Sequence, residues 1–353
     1  MASRYWVGGT GTWNASNTTN WSATSGTSGG TGGASVPTTA DDVIFDAGSG
    51  SGTCSLSTAS VSCKSINFTN TSVAVDCLST NYPIIVTGGN ITLGSSSSAL
   101  TSAWVRLAPT TAISVTISGV ANIGRVDLVA SSAGATAALG SNIYATTTFN
   151  IYTSSAFGAA GTNSLANYNV EVGSQGFTIG TGAVSTVNLG TGTITSAGGI
   201  TFPSDATSVT CSNTKLIGTG STCSIYLYSR TVSSISSVNT SLLLRTAGTA
   251  GSMSMSLTSL SRAVSFYDNF TITGLFSMSD SSSGTLTCNS NPAGTQRTIT
   301  AGSVSLTNVT FQDINAAGAA IPWSGTGLIN GGNNTNINFV VANTKSLFFG
   351  SNF

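Results

Sequence analysis

Apolar side chains in this chain alternate with hydroxyl-bearing ones in short bursts, and that pattern limits what it can fold into. Ser252-Met-Ser-Met-Ser-Leu-Thr puts Met253, Met255 and Leu257 on one side of an extended segment and hydroxyls on the other. Thr186-Val-Asn-Leu-Gly, Ser303-Val-Ser-Leu-Thr and Asn308-Val-Thr-Phe-Gln repeat the scheme. A period of two residues is that of a half-buried strand, because successive side chains leave a pleated backbone on opposite faces. No stretch carries a convincing helical period, and strong helix formers are rare, with Glu171 the single glutamate. Clusters of Gly, Ser and Asn cut the alternating runs short, as corners require. The chain is therefore expected to be all-β.

The spacing of these runs suggests how they stack. In the C-terminal third, Val264/Phe266, Leu286/Cys288 and Val304/Leu306 recur at about 20 residues, with Phe276/Met278 and Val309/Phe311 between them. A unit of that length with two or three short strands fits one turn of a β-solenoid, each turn burying its inward side chains on the next. The expected fold is a single-stranded right-handed parallel β-helix with N- and C-terminal caps; tandem β-sandwiches share the same short strands and turn signals and are the alternative. Residues 1–47, holding Trp6, Trp13 and Trp21, are expected to cap one end and residues 48–319 to form the solenoid. Residues 320–353, with Trp323 and the aromatic tail from Leu347 to Phe353, are expected to cap the other, since open strand edges need covering.

Composition then narrows function. Apolar residues are 40% of the 353, enough for a core, while charged residues are 6% against a usual figure of about 25%. Ten basic and ten acidic residues cancel, leaving no basic stripe to hold nucleic acid or an anionic membrane. Histidine is absent, which removes the commonest acid/base group and metal ligand. No run is long and apolar enough to span a bilayer. The N-terminus lacks the apolar stretch of a secretory signal, so an exterior-type composition is expected to reach the exterior by cell lysis. Cys54, Cys63, Cys77, Cys211, Cys223 and Cys288 show no metal-binding spacing and are read as buried small apolar residues, with a Cys54–Cys63 disulfide the alternative.

Few residues suggest a site. Of the ten carboxylates, Asp76, Asp127, Glu171, Asp205, Asp268, Asp280 and Asp313 are scattered singly, whereas a glycan-cleaving groove needs a pair facing one bond. Asp41, Asp42 and Asp46 cluster; they are expected to hold turns through backbone hydrogen bonds, with calcium binding a lesser candidate role. Arg125 and Asp127, two apart on one strand face, are expected to form a surface ion pair. Tyr226, Tyr228 and Tyr267 are candidate glycan-contacting aromatics, with packing the stronger expectation. The runs Gly8-Gly-Thr-Gly and Gly29-Gly-Thr-Gly-Gly lack the Lys-Ser/Thr of a phosphate loop. No catalytic residue and no cofactor is assigned.

Two stretches resemble a known group. Tyr5-Trp-Val-Gly-Gly-Thr-Gly-Thr-Trp, Asn20-Trp-Ser, Val36-Pro and Asp41-Asp-Val-Ile-Phe-Asp look like the opening segment of autotransporter-type and phage β-helix proteins. Val309-Thr-Phe-Gln-Asp-Ile-Asn-Ala-Ala-Gly, Trp323 and Asn330-Gly-Gly-Asn-Asn-Thr-Asn-Ile-Asn-Phe are similar to the last coils of phage virion and tail proteins. The resemblance implies a right-handed parallel β-helix serving as a fibre, spike or surface decoration, and it carries over no catalytic residues. The expected function is thus a non-enzymatic virion surface protein, a phage tail fibre or spike component or a head decoration, contributing to host attachment or particle stability. Its expected partners are other virion proteins, host surface glycans and further copies of itself in a homotrimer, but not nucleic acid or membrane. A polysaccharide-degrading tailspike and a bacterial surface adhesin are the alternatives.

Overall fold

The computed structural model describes residues 2–56, 59–77, 79, 81–94, 100–112, 114–119, 122–153, 161–182 and 185–339. They form a parallel β-solenoid of about 12 turns, a single-stranded parallel β-helix, as the alternation and repeat predict. Among the described residues helix is scarce and includes the short 3-10 turns Gly26–Ser28 and Ala47–Ser49. None is long and apolar enough to cross a membrane.

Each turn lays its strands on the corresponding strands of the turn before. On the first face the register passes from Val43 to Ile66, Ile91 and Ile117, a little over twenty residues each time. It runs on through the strands Thr136–Leu139, Thr162–Ser164, Thr186–Asn188 and Val209–Thr210. On a second face Ile143, Val170, Ile194, Leu216, Ile235, Met253, Phe276 and Val304 follow one another. A third carries Ile84, Val105, Val126, Phe149, Phe177, Ile200, Ile225, Leu244, Phe266 and Ser290. The long strand Ile143–Ile151 serves two faces, its first half pairing with Val170–Val172 and its second with Gly176–Ile179.

Inward residues from all faces merge into one continuous apolar core. Met253, Met255 and Leu257 point into it, as their alternation predicts. All six cysteines are buried free thiols, so the packing expectation holds and the Cys54–Cys63 disulfide does not form. Four fill steps of apolar ladders: Cys54 pairs in register with Val75, Cys63 with Val86, Cys223 with Leu242, and Cys288 with Val264 and Phe311. At the corners Asn takes the left-handed backbone that a tight turn needs and that its short polar side chain tolerates, as at Asn70, Asn167, Asn239 and Asn308. Asparagine side chains near the corners also bind one turn to the next. Asn169 Oδ1 accepts the N–H of Thr193, Asn239 Oδ1 that of Thr258, and Asn269 Oδ1 that of Thr298, each at 2.8 Å.

The ends are aromatic. Trp21 meets Trp6 and Trp13 edge-on at 5.1 and 5.0 Å, and Phe45 stacks on Trp6 at 5.7 Å. Trp21–Ser22 runs antiparallel to Ser3–Trp6 and covers that edge of the first face. The segment is more than a lid, because Ser3–Trp6 and Gly11–Trp13 also add in parallel to Asp42–Ile44 and Ser51–Leu56. At the other end Trp323 is fully buried against Phe276 and Phe311. The stacking continues beyond residue 320, with Ile329–Asn330 on Val309–Gln312 and a bridge from Trp323 to Ile337. The aromatic tail from Leu347 to Phe353 lies outside the described residues.

Candidate functional site

Since strands alternate inward and outward, every outward position of one turn has a neighbour directly above and below it. Outer-surface chemistry is therefore arranged as a grid, with steps of about 4.8 Å along the axis between turns and two residues along the strand.

The Asp41, Asp42 and Asp46 carboxylates are spent on three different tasks. Asp41 accepts the Thr38 N–H and hydroxyl at 3.0 and 2.8 Å and the Ala2 N–H at 3.1 Å. Burial works to raise its pKa, but these hydrogen bonds and the charge of Arg4 hold it below the usual carboxylate value. Asp42 pairs with Lys64 at 3.2 Å and accepts the Ser65 hydroxyl. Asp46 caps the Ala47–Ser49 turn, accepting the Gly48 N–H, and takes the Ser25 hydroxyl at 2.8 Å. Among the described residues no group of three or more Asp, Glu, Cys or His stands where it could share a metal ion. Two further acids serve corners: Asp313 holds the Gly294 N–H and the Asn333 amide, and Asp280 the Ser282 N–H and hydroxyl.

The three tyrosines fall on the third face, half-buried. Tyr226 and Tyr228 stack at 6.1 Å with their planes 24° apart. Tyr267 lies two turns on, under the Arg245 guanidinium, whose carbon stands 4.2 Å from the ring centroid. Register carries Ile225 to Leu244 and Leu244 to Phe266, so Tyr226, Arg245 and Tyr267 occupy successive outward positions of one column. The tyrosines thus pack on each other and on an arginine, leaving part of each ring at the surface.

Arg125 and Asp127 do pair, at 3.0 Å, but the carboxylate is fully buried, which corrects the expectation of a surface ion pair. Its neighbours on the grid explain the burial. Trp104 is in register with Arg125, Arg106 with Asp127, and Asp127 with Asn150, with Tyr152 two residues beyond. Trp104 Nε1, Arg106 and the Asn150 amide all donate to Asp127, at 2.8, 3.0 and 3.0 Å. The Arg125 guanidinium lies 3.9 Å over the Trp104 ring and donates to the Tyr152 hydroxyl at 2.8 Å. Burial and the Asp127 charge raise the Tyr152 phenol above its ordinary pKa. The sequence signal was three outward pairs two residues apart, Trp104/Arg106, Arg125/Asp127 and Asn150/Tyr152, recurring one turn apart.

A groove of about 620 Å³ runs along the corner leading into the second face. Four consecutive turns line it, so it extends roughly 14 Å along the axis at the inter-strand spacing. Tyr144 is in register with Glu171 and Glu171 with Thr195, all three pointing outward between buried neighbours. Asn142 accepts the Asn169 N–H at 2.9 Å, and Asn169 that of Thr193. No protein-family description matches the chain, and neither the curated proteins nor the solved structures include a significant match.

Proposed function

We propose that this protein is a non-enzymatic structural component of a virion surface, a tail fibre or spike part or a head decoration, that contributes to host-surface adhesion or particle stability. The observation that carries this reading is a β-solenoid of about 12 turns whose outward positions are chiefly hydroxyls and amides at regular steps. Such a surface offers many weak hydrogen bonds to glycans, and repetition along a rod or around a trimer multiplies them through avidity. A polysaccharide-degrading spike would need two carboxylates facing one bond. In the groove at the Asn142–Asn169 corner, Glu171 has no second acid beside it among the described lining residues.

Mass spectrometry of purified particles, with immunogold labelling against this chain, tests the reading. Labelling at a tail tip or over the head supports it, and copy number separates fibre from decoration. Absence from every particle, with labelling on the producing cell's surface, favours the bacterial adhesin. Turnover of a host polysaccharide, abolished by an Asp→Asn or Glu171→Gln substitution, would make the chain an enzyme and overturn the proposal.

A further inference from the structure

The groove along the Asn142–Asn169 corner differs from the rest of the outer surface in what it leaves unspent. Asn142 and Asn169 use their side-chain oxygens to hold the backbone of the following turn. Each amide nitrogen is left with two N–H donors facing outward, without a partner among the described residues, because an amide accepts through oxygen and donates through nitrogen. Glu171 has no ion pair among the described residues and stands exposed between Val170 and Val172, both buried. Tyr144 sits one step along the same column and presents a half-buried ring with a polar tip. The groove therefore supplies rows of donors, one strong acceptor and one aromatic face in a trough open at the surface.

We propose that this groove is a binding site for a linear, uncharged oligosaccharide lying along the solenoid axis; the inference rests on the adhesive reading above. Four lining turns give roughly 14 Å of track, room for several sugar rings in a row. The amide N–H groups of Asn142 and Asn169 donate to ring and hydroxyl oxygens, while Glu171 accepts from paired sugar hydroxyls. Hydrogen bonds to a charged acceptor are about twice as strong as neutral ones, so Glu171 fixes orientation. The apolar face of one ring packs on Tyr144. Charge sets the ligand class: no Lys or Arg lines the groove, and Glu171 is its one charge. An acidic polysaccharide or a nucleic acid would bring like charge against that carboxylate with nothing to offset it.

The test is a printed array of linear neutral and acidic oligosaccharides probed with the full chain and with Tyr144→Ala, Tyr144→Phe and Glu171→Gln. All three substitutions lie at outward positions, and unchanged thermal unfolding verifies that each variant is folded. The expected result is binding to neutral glycans that falls at least tenfold in Tyr144→Ala and in Glu171→Gln but survives in Tyr144→Phe. Neutral-glycan binding unaffected by Tyr144→Ala and Glu171→Gln would overturn the groove while leaving the adhesive reading standing. Binding confined to acidic glycans would overturn the charge argument and with it the site. No binding to any glycan would remove the adhesive reading and the groove together.

Discussion

Replacing Asp127 by asparagine tests whether the buried grid on the third face clamps three turns together. The carboxylate is fully buried and accepts five donor contacts: Trp104 Nε1 at 2.8 Å, two from Arg106 at 3.2 and 3.0 Å, Arg125 Nε at 3.0 Å and Asn150 Nδ2 at 3.0 Å. Asparagine keeps the shape but has one oxygen, so half of those donors meet an N–H group. The two guanidiniums also lose their buried counter-charge. Removing one partner of a buried ion pair costs about 3–5 kcal/mol. Arg106 and Arg125 keep 19% and 21% of their side-chain exposure, and water offsets part of the loss, which places the expected cost near 3 kcal/mol. In a solenoid each turn contacts only its neighbours, so the loss concentrates in the strands Trp104–Leu107, Ile123–Leu128 and Ile143–Ile151. At 1.4 kcal/mol per tenfold, amide exchange there should speed up roughly 100-fold, while the strands from Thr231 onward stay near wild-type rates. Urea unfolding and hydrogen-exchange mass spectrometry measure both. The combined change Arg106→Met, Arg125→Met and Asp127→Leu should recover most of the stability, because apolar replacements carry no uncompensated charge. A loss under about 0.5 kcal/mol in Asp127→Asn, or one spread evenly over the rod, would refute the clamp.

Other predictions concern the core, the corners and the end. Burial pushes the thiol pKa up to about 12 at Cys77 and Cys223 and to about 11 at Cys211, and well up at Cys54, Cys63 and Cys288. Unfolded thiols ionise near pH 8.5, so between that value and the folded ones the unfolded state binds fewer protons. Stability should therefore fall as pH rises, by up to about 1.4 kcal/mol per thiol per pH unit. Urea midpoints from pH 7 to 10 check this, and a thiol reagent at pH 8 should label all six only after denaturation. Asn239 holds a φ of 55° and accepts the Thr258 N–H, so Asn239→Ala should cost about 2–3 kcal/mol and Asn239→Gly, which tolerates that backbone, about 1 kcal/mol; equal losses would refute the backbone argument. Trp21→Ala should cost about 3–5 kcal/mol and speed exchange in the first turns only. Trp21→Phe should cost much less, because Trp21 Nε1 is buried without a hydrogen-bond partner, and thermal unfolding of the two variants separates the cases.

Fold class was legible in the sequence because it depends on local facts. Alternation at Met253, Met255 and Leu257 fixes which side chains point inward, and a recurrence of about 20 residues requires that they stack. Free cysteines in alternating runs read correctly as core for the same reason. Contacts between turns were another matter. Asp41, Asp42 and Asp46 are close in the chain, yet a strand sends neighbours to opposite faces, and each carboxylate found a different partner. Arg125 and Asp127 were paired correctly along their strand, but the burial of Asp127 comes from Trp104, Arg106 and Asn150 one turn away. Those turns differ in length, so only the tertiary register decides which outward residues become neighbours. The groove at Tyr144 and Glu171 has the same origin: two residues 27 apart in number meet because the register sets one strand on the next. Inward identity is written by a period of two, whereas the outer grid is set by corner lengths that the alternation does not encode.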